Sequence, residues 1–585
     1  MIPTVQFIFL CFAILLVVFD FAIDECLADE SILSRPVAIA VSADNAFAFI
    51  ANQKKSCITV VDVASQGTHQ IQVKSKGFMD LVWSAKGNRL HAISSSPPQV
   101  HQIAVEPDDS VEIQSHELPA IPERITLSID ERFLCISMTW MHAVCIVELQ
   151  EGRLPKSLNY KILPLDFQPK EVLAIKNEQF LVADAFGGQL AVMDAASAKT
   201  IASHRILGHH IGGLARDDSS ETIAIAHQRL SSVAHTNRDD IHWGALIQNL
   251  VSVIPEARLV DPASNIARST ERFPLGDVGN GAADPSGIVA WDGNLCVAIT
   301  GTNQIAFRAQ PKGRFVLLPI DQSPTRLVRL GDSKIMWIST LGDTAGILER
   351  VGDHLETRGT IGKERAIESP EDRGEQAFYS GRLSHDGWMS CSSCHVNGHS
   401  PDLLADTKGD GKFDSPKRIP SLLNVSHTGP WTWNGTERSL QGQIEKTLST
   451  TMHRDPRPEL KGDDDTTVAA NIAAFLATQR LPFAQTLDSA KRSEGERLFH
   501  ERGCVKCHQP DLHYSSPGTY DVGVVDETGE RKFNPPSLEG LRHRKRLFHD
   551  GRFTRAEELL RSHPNNNIEW TPDEIASLSI FLRSL

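Results

Sequence analysis

Arg35-Pro-Val-Ala-Ile-Ala-Val41-Ser-Ala-Asp44-Asn45-Ala-Phe-Ala-Phe-Ile-Ala-Asn52-Gln53, followed after three residues by Cys57-Ile-Thr-Val-Val-Asp-Val63, is the stretch whose reading decides the fold of the larger part of this chain. Its apolar residues alternate in short runs separated by an Asp-Asn turn, which is the pattern of half-buried strands and not of helices. Similar starts recur at Phe78, Pro122, Pro169, Ile211, Ser286 and Pro324. The spacing is about 40 to 47 residues apart from one longer interval, the period of blades in a β-propeller. Seven copies fill residues 35–355, and a seven-bladed ring is the natural closure, with six or eight blades as alternatives.

The long interval, between Ile211 and Ser286, places an insertion at about 228–284. It holds Ala226-His-Gln-Arg-Leu230, then Asn237-Arg-Asp-Asp-Ile-His242-Trp243-Gly244, a helical-looking run from Ala245 to Ile254, and Pro274-Leu-Gly-Asp-Val-Gly-Asn-Gly281. Insertions inside a repeat map to loops on one face of the ring. This one is expected to pack on the C-terminal domain or to form part of a substrate surface; the alternative is a decorative loop. Phe49-Ile-Ala-Asn52 resembles the Tyr-Val-Thr-Asn strand signature of one propeller family, a resemblance that bears on fold and not on function.

The C-terminal part is organised around Cys391-Ser-Ser-Cys394-His395 and its second copy, Cys504-Val-Lys-Cys507-His508. Two cysteines three apart followed by histidine allow two thioethers to a haem while the adjacent imidazole reaches the iron. Two haem c groups are therefore expected, with His395 and His508 as proximal ligands. A zinc site would need further ligands at compatible spacing and would not account for the duplication. The duplication runs on: Pro420-Ser-Leu-Leu to Trp433-Asn-Gly435 matches Pro536-Ser-Leu-Glu to His549-Asp-Gly551 without a gap. Helices are expected after each, over Ser439 to Leu448 and Arg555 to Arg561. Before the first copy, Ser369-Pro370 opens a helix as N-cap and first residue, and the same opening returns at Ser493. The organisation read from these features is multidomain: an all-β propeller at 35–355, a linker at 356–368, and an all-α duplicated cytochrome c region with domains at 369–488 and 489–585.

With 585 residues the chain exceeds one core. A net charge of −14 without a basic run argues against nucleic acid and anionic membrane surfaces as partners, and is compatible with a basic redox protein. Residues 1–28 read as a signal peptide: Phe7 to Phe19 is an apolar run too short to span a bilayer, with cleavage after Ala28. No Lys or Arg precedes Phe7, which leaves an uncleaved anchor as the alternative. Covalent haem attachment requires export, so the periplasm or its equivalent is expected, with no membrane span in the mature chain. Cys135 and Cys145 sit at the two ends of a hairpin, where separate buried thiols are favoured over a disulfide.

Gly381-Arg-Leu-Ser-His-Asp-Gly-Trp-Met-Ser-Cys391, the two Pro-Ser-Leu runs, Phe548-His-Asp-Gly-Arg-Phe553 and the closing Asp573-Glu-Ile-Ala-Ser-Leu-Ser-Ile-Phe-Leu582 resemble the bacterial di-haem cytochrome c peroxidases and their MauG-like relatives over about residues 365–585. The resemblance implies electron transfer from the C-terminal haem to a peroxide-reactive N-terminal haem, with hydrogen peroxide or a related oxidant and a small electron-donor protein as partners. It puts the distal ligand of the second iron at His563. The loop after His399 lacks the histidine usual in peroxidases, leaving the first iron open, with Met452 as a candidate ligand. Glu445 or His453 would substitute for an absent catalytic glutamate, Trp433 matches an electron relay between the haems, and Asn424 matches a calcium-binding position. A non-enzymatic electron carrier whose propeller recruits a partner is the alternative. A propeller dehydrogenase lacks any cofactor motif.

Overall fold

The computed structural model describes residues 31–585 apart from 106–110, 177, 310–312, 321–322, 457–462, 483–488 and 564–568. The signal-peptide reading falls outside the described residues. From Pro36 to Gly362 the chain forms seven four-stranded antiparallel meanders, each ordered strand to neighbouring strand. The first strand of each blade is the innermost, and alternating side chains from adjacent blades interlock between the sheets. One such layer joins Phe49, Ile58 and Val60 of blade one to Phe78, Leu81 and Leu90 of blade two. The ring closes the same way: Ala48, Ile50 and Val61 pack with Met336, Ile338 and Ile347 of blade seven. Across that seam Asp343 accepts the Arg35 backbone N–H at 2.6 Å and Thr340 donates to the Pro36 carbonyl at 2.7 Å.

Two expectations are corrected. The run Ala245 to Ile254 is not helical; Ile247–Pro255 is the third strand of blade five, paired with Thr222–Leu230 and Glu271–Pro274. Its Leu-Val-Ser-Val-Ile content favours an extended chain once partners exist on both sides. The insertion is therefore distributed: residues 231–246 and 256–270 are excursions within blade five, and 275–284 link it to blade six. Second, the charged stretch expected to begin the linker forms the outer strand His354–Gly362 of blade seven, anchored by buried Leu355 and Ile361. Outer propeller strands need few apolar side chains, so the sequence of this one passes for a linker.

Cys135 and Cys145 are buried thiols. Cys135 stands opposite Ile146 and Cys145 opposite Ile136, so the two point to opposite faces of their sheet, Cys145 toward blade two and Cys135 toward blade four.

The C-terminal region is two copies of one helical unit. Pro370–Phe378 is capped by Ser369, whose Oγ accepts the Asp372 N–H at 3.1 Å, and crosses Asp465–Thr478. Ser489–Glu501 crosses Pro572–Arg583 in the same way. This second helix is described from Ser489, so Ser493 lies inside it and is not its cap; the Ser493 hydroxyl donates to the Ser489 carbonyl. Both crossings are made at a glycine. A Cβ on Gly374 would lie 1.9 Å from the Asn471 carbonyl oxygen, and one on Gly495 would lie 2.1 Å from that of Ser577. Beside each glycine a phenylalanine pair locks the crossing, Phe378 with Phe475 and Phe499 with Phe581, both at 5.4 Å between ring centres. Leu440–Thr450 and Ala556–Ser562 complete the two units. Among the described residues no helix is long and apolar enough to cross a membrane.

Candidate haem-binding sites

The first Cys-x-x-Cys-His is a single helical turn, Cys391–Cys394, closed by a capping box between Ser390 and Ser393. It is held from the propeller side. Asp284, buried at the end of the insertion, accepts hydrogen bonds from the hydroxyls of Ser390 and Ser393. Burial pushes its carboxyl up to about 6 against those donors. His209 Nε2 donates to the Ser393 carbonyl at 2.8 Å, and Gln228 reaches both Asn249 and the Ser393 hydroxyl. Asn249 in turn donates to the Trp388 carbonyl at 3.0 Å. The Trp388 indole packs on Ala234, Ile241 and Leu246, with Gly244 giving the ring room and Gly281 letting the Trp388 backbone approach. The insertion thus lies against the segment leading into Cys391.

His395 Nδ1 donates to the Pro420 carbonyl at 2.9 Å, which leaves Nε2 to face a cavity of about 330 Å³. Burial holds the imidazole neutral, its pKa lowered to about 4, as a metal ligand requires. The cavity is walled by Cys391, Cys394, Phe378, Ile444, Leu448 and Trp431, and Met452 and Gln443 also line it. Met452 is 3 % exposed, and the Gln443 Oε1 is buried without a hydrogen-bond partner. Two guanidinium groups reach the cavity, Arg418 and Arg544. Arg418 has one carboxylate partner, Asp402 at 3.4 Å. Among the described residues Arg544 is met by the Ser537 and Glu539 carbonyls alone, with its Nε unpartnered. Burial lowers both, Arg544 to about 10. Two free thiols, an imidazole presenting Nε2 and two under-neutralised cations, Arg418 buried and Arg544 half-buried, around an apolar hollow form a set that could hold a thioether-linked haem and its propionates.

At the second motif His508 Nδ1 meets the Tyr514 carbonyl at 3.0 Å, and its pKa is lowered to about 4 by burial. His563, at the end of Ala556–Ser562, is close enough for its charge to act on His508. Cys504 packs on the cluster of Phe499, Leu541, Leu560 and Phe581. Trp433 lines the first cavity and donates its indole N–H to the Arg418 carbonyl at 3.0 Å, and its ring stands 6.4 Å from that of His549.

The remaining sequence candidates lie elsewhere. Glu445 accepts from Gln441 at 2.9 Å and does not line the cavity. His453 turns away to meet the Thr236 carbonyl of the insertion at 2.9 Å. Asn424 donates to Glu539 at 3.1 Å and accepts the Leu481 N–H at 3.4 Å. Gln443, Arg418 and Arg544 were not singled out from sequence. Arg418, two residues before Pro420, and Arg544, beside His543, do flank the repeated Pro-Ser-Leu runs, a usable signal. Gln443 carries none beyond its place in an amphipathic helix.

Residues 371–480 and 494–582 match the model of the family described as di-haem cytochrome c peroxidase. The cytochrome c551 peroxidase of Nitrosomonas europaea is 25 % identical over 261 residues, covering 36 % of this chain and 78 % of that protein. The methylamine utilization protein MauG of Methylorubrum extorquens is 25 % identical over 209 residues, covering 29 % of this chain and 58 % of its own. Among solved structures, a chain of Kuenenia stuttgartiensis hydrazine synthase aligns with 56 % of this chain and 99 % of its own, at 14 % identity and a TM-score of 0.47. The chain is thus a seven-bladed β-propeller followed by a helical region that carries the di-haem cytochrome domain of this peroxidase family.

Proposed function

We propose that this protein is an exported di-haem c-type oxidoreductase. In this reading electrons from a small donor protein enter at the haem held by Cys504, Cys507 and His508. They pass by Trp433 to the haem held by Cys391, Cys394 and His395, where hydrogen peroxide or a related oxidant is reduced. The observation that carries the reading is the asymmetry of the two sites. His563 stands within electrostatic reach of His508, whereas His395 is the one histidine among the described residues lining its cavity. A second imidazole suits an iron that only relays electrons, and its lack suits one that binds an exogenous ligand.

Bound haem would supply the redox change and the coordination position; the polypeptide supplies the rest. Pro420 and Tyr514 carbonyls orient the two proximal rings. Arg418 and Arg544 carry the charge that would neutralise propionates. Gln443, with an unpartnered Oε1, is a polar group available to orient an oxidant in the first cavity. Glu445 and His453 can take part only by leaving their present partners, Gln441 and Thr236. A calcium ion between the haems would use Asn424, and Glu539 beside it offers the carboxylate such an ion favours.

Met452 supports a second reading. A buried thioether on the cavity wall is a known haem ligand type, and its ligation would make the first site an electron carrier. The ferric spectrum decides. A high-spin component that shifts with cyanide or peroxide supports the oxidoreductase. Two low-spin haems that ignore peroxide even after half-reduction overturn it in favour of the carrier.

A further inference from the structure

His235, on the propeller insertion, meets two carboxylates of the C-terminal region. Its Nε2 lies 3.3 Å from Asp406 Oδ2 and 3.3 Å from Asp414 Oδ1, and the three atoms are within 4.8 Å of one another. These separations are longer than the usual N–H···O bond, and one ring N–H cannot serve two carboxylates at once.

Asp406 sharpens the point. It is 3 % exposed. Its Oδ2 accepts the Asp414 backbone N–H at 2.8 Å, while Oδ1 is buried with no hydrogen-bond partner. Among the described residues no lysine or arginine pairs with it. A buried carboxylate oxygen left this way is costly unless a cation completes it, and an ion held through both oxygens of this carboxylate would complete Oδ1 as well as meet the Oδ2 that faces His235. The cluster is also built in advance. Residues 235 and 406 form a parallel bridge, the Thr236 N–H donates to the Asp406 carbonyl at 3.2 Å, and the imidazole stacks on Phe413 at 4.6 Å.

We propose that His235, Asp406 and Asp414 hold a divalent transition ion of the Zn²⁺ class, with water in the fourth position beside Asp414, whose side chain is 86 % exposed. With Zn–N and Zn–O bonds of about 2.0–2.2 Å, the edges of a tetrahedron are about 3.3–3.6 Å, which is the spacing of the two measured pairs. One imidazole and two carboxylates suit zinc and its neighbours better than calcium, which takes six to eight oxygens. A second cluster, His242, His385 and Asp386, is explained without metal. His242 Nδ1 is hydrogen-bonded to Asp386 at 2.7 Å, and the Arg238 guanidinium, 3.2 Å from His385 Nδ1, would repel a cation.

The ion would clip the propeller to a wall of the first haem cavity, since Ala405, Thr407, Gly409 and Asp410 of the Asp406 loop line it. The test uses the full-length haem-loaded protein, stripped with chelator and titrated with Zn²⁺ alone, with zinc and iron measured by elemental analysis. One zinc per chain is expected beyond the haem irons. Its affinity should fall by more than about tenfold in both His235→Ala and Asp414→Asn, with haem content unchanged. Asp414 is exposed enough for its replacement to spare folding. Zinc affinity equal in the wild type and both variants, or displacement of zinc by equimolar Ca²⁺, would overturn the site.

Discussion

Trp433 and His549 face each other across the duplication, ring centres 6.4 Å apart and planes inclined by 64°. They hold the same place in the two copies, each two residues before the glycine of its repeat. His549 stacks flat on Phe533 at 3.8 Å, and the Arg418 guanidinium covers Trp433 at 5.3 Å. The pseudo-symmetry therefore produces an aromatic contact between the two helical units, with Trp433 also lining the first cavity. Replacing Trp433 with Leu should slow re-equilibration between the haems, after rapid half-reduction, by an order of magnitude, equivalent to about 1.4 kcal/mol of barrier. Stopped-flow absorbance reads this, and both haems should load normally. An unchanged rate would remove Trp433 from the path.

His563 bears on His508 from the end of a short helix. If it is the second axial ligand, His563→Ala should convert the C-terminal haem from low to high spin without loss of covalent haem. Electron paramagnetic resonance separates the two populations. A spectrum identical to the wild type would rule His563 out as a ligand.

Gly374 and Gly495 each sit where two helices touch backbone to backbone. A methyl at either position forces the crossing apart, and overpacking of this kind costs about 1–3 kcal/mol. Gly374→Ala and Gly495→Ala should therefore each lower the melting temperature of the helical region, the haem Soret band reporting the transition. The two losses should be similar in size, because the phenylalanine pairs beside the glycines are spaced alike. A variant as stable as the wild type would show that the crossing tolerates a side chain.

The parts that were legible in the sequence are those written in neighbouring residues. Alternation around Phe49 and Ile58 declares strands, the forty-residue period declares blades, and Cys391 to His395 declares a haem. The strand Ile247–Pro255 read as helix because Ile247, Leu250, Val251 and Ile254 fall at i, i+3, i+4 and i+7, while its extended state is set by the strands paired on both sides. The outer strand His354–Gly362 read as linker because its outward face is charged. Arg418, Arg544 and Gln443 reach the first cavity through contacts far apart in the chain; the two arginines are marked only by flanking the Pro-Ser-Leu runs, and no local pattern marks Gln443. The same is true of Asp284, a lone acid in a Gly-Ala loop, which meets Ser390 and Ser393 more than a hundred residues away.

Asp284 also makes the union of the two domains depend on pH. Its carboxyl titrates near 6 in the fold and near the ordinary 3.8 when exposed. Between those values the folded chain holds the proton that the unfolded chain has lost, so this group's contribution to stability falls as pH rises from about 4 to 6 and stays low above. Each pH unit of difference is about 1.4 kcal/mol, for an upper bound of about 3 kcal/mol. Asp284→Asn keeps the shape and can still accept from one serine, but does not titrate. The difference in melting temperature between variant and wild type should therefore favour the variant at pH 7 and shrink as the pH approaches 4. Differential scanning calorimetry at matched ionic strength measures it; the buried histidines common to both proteins cancel in the difference except His210, whose Nδ1 lies 3.8 Å from Asp284 Oδ1 and which His210→Gln in both backgrounds removes. A pH-independent difference would mean that Asp284 is ionised in the fold as readily as in the unfolded chain, and that the serine hydroxyls fully offset its burial.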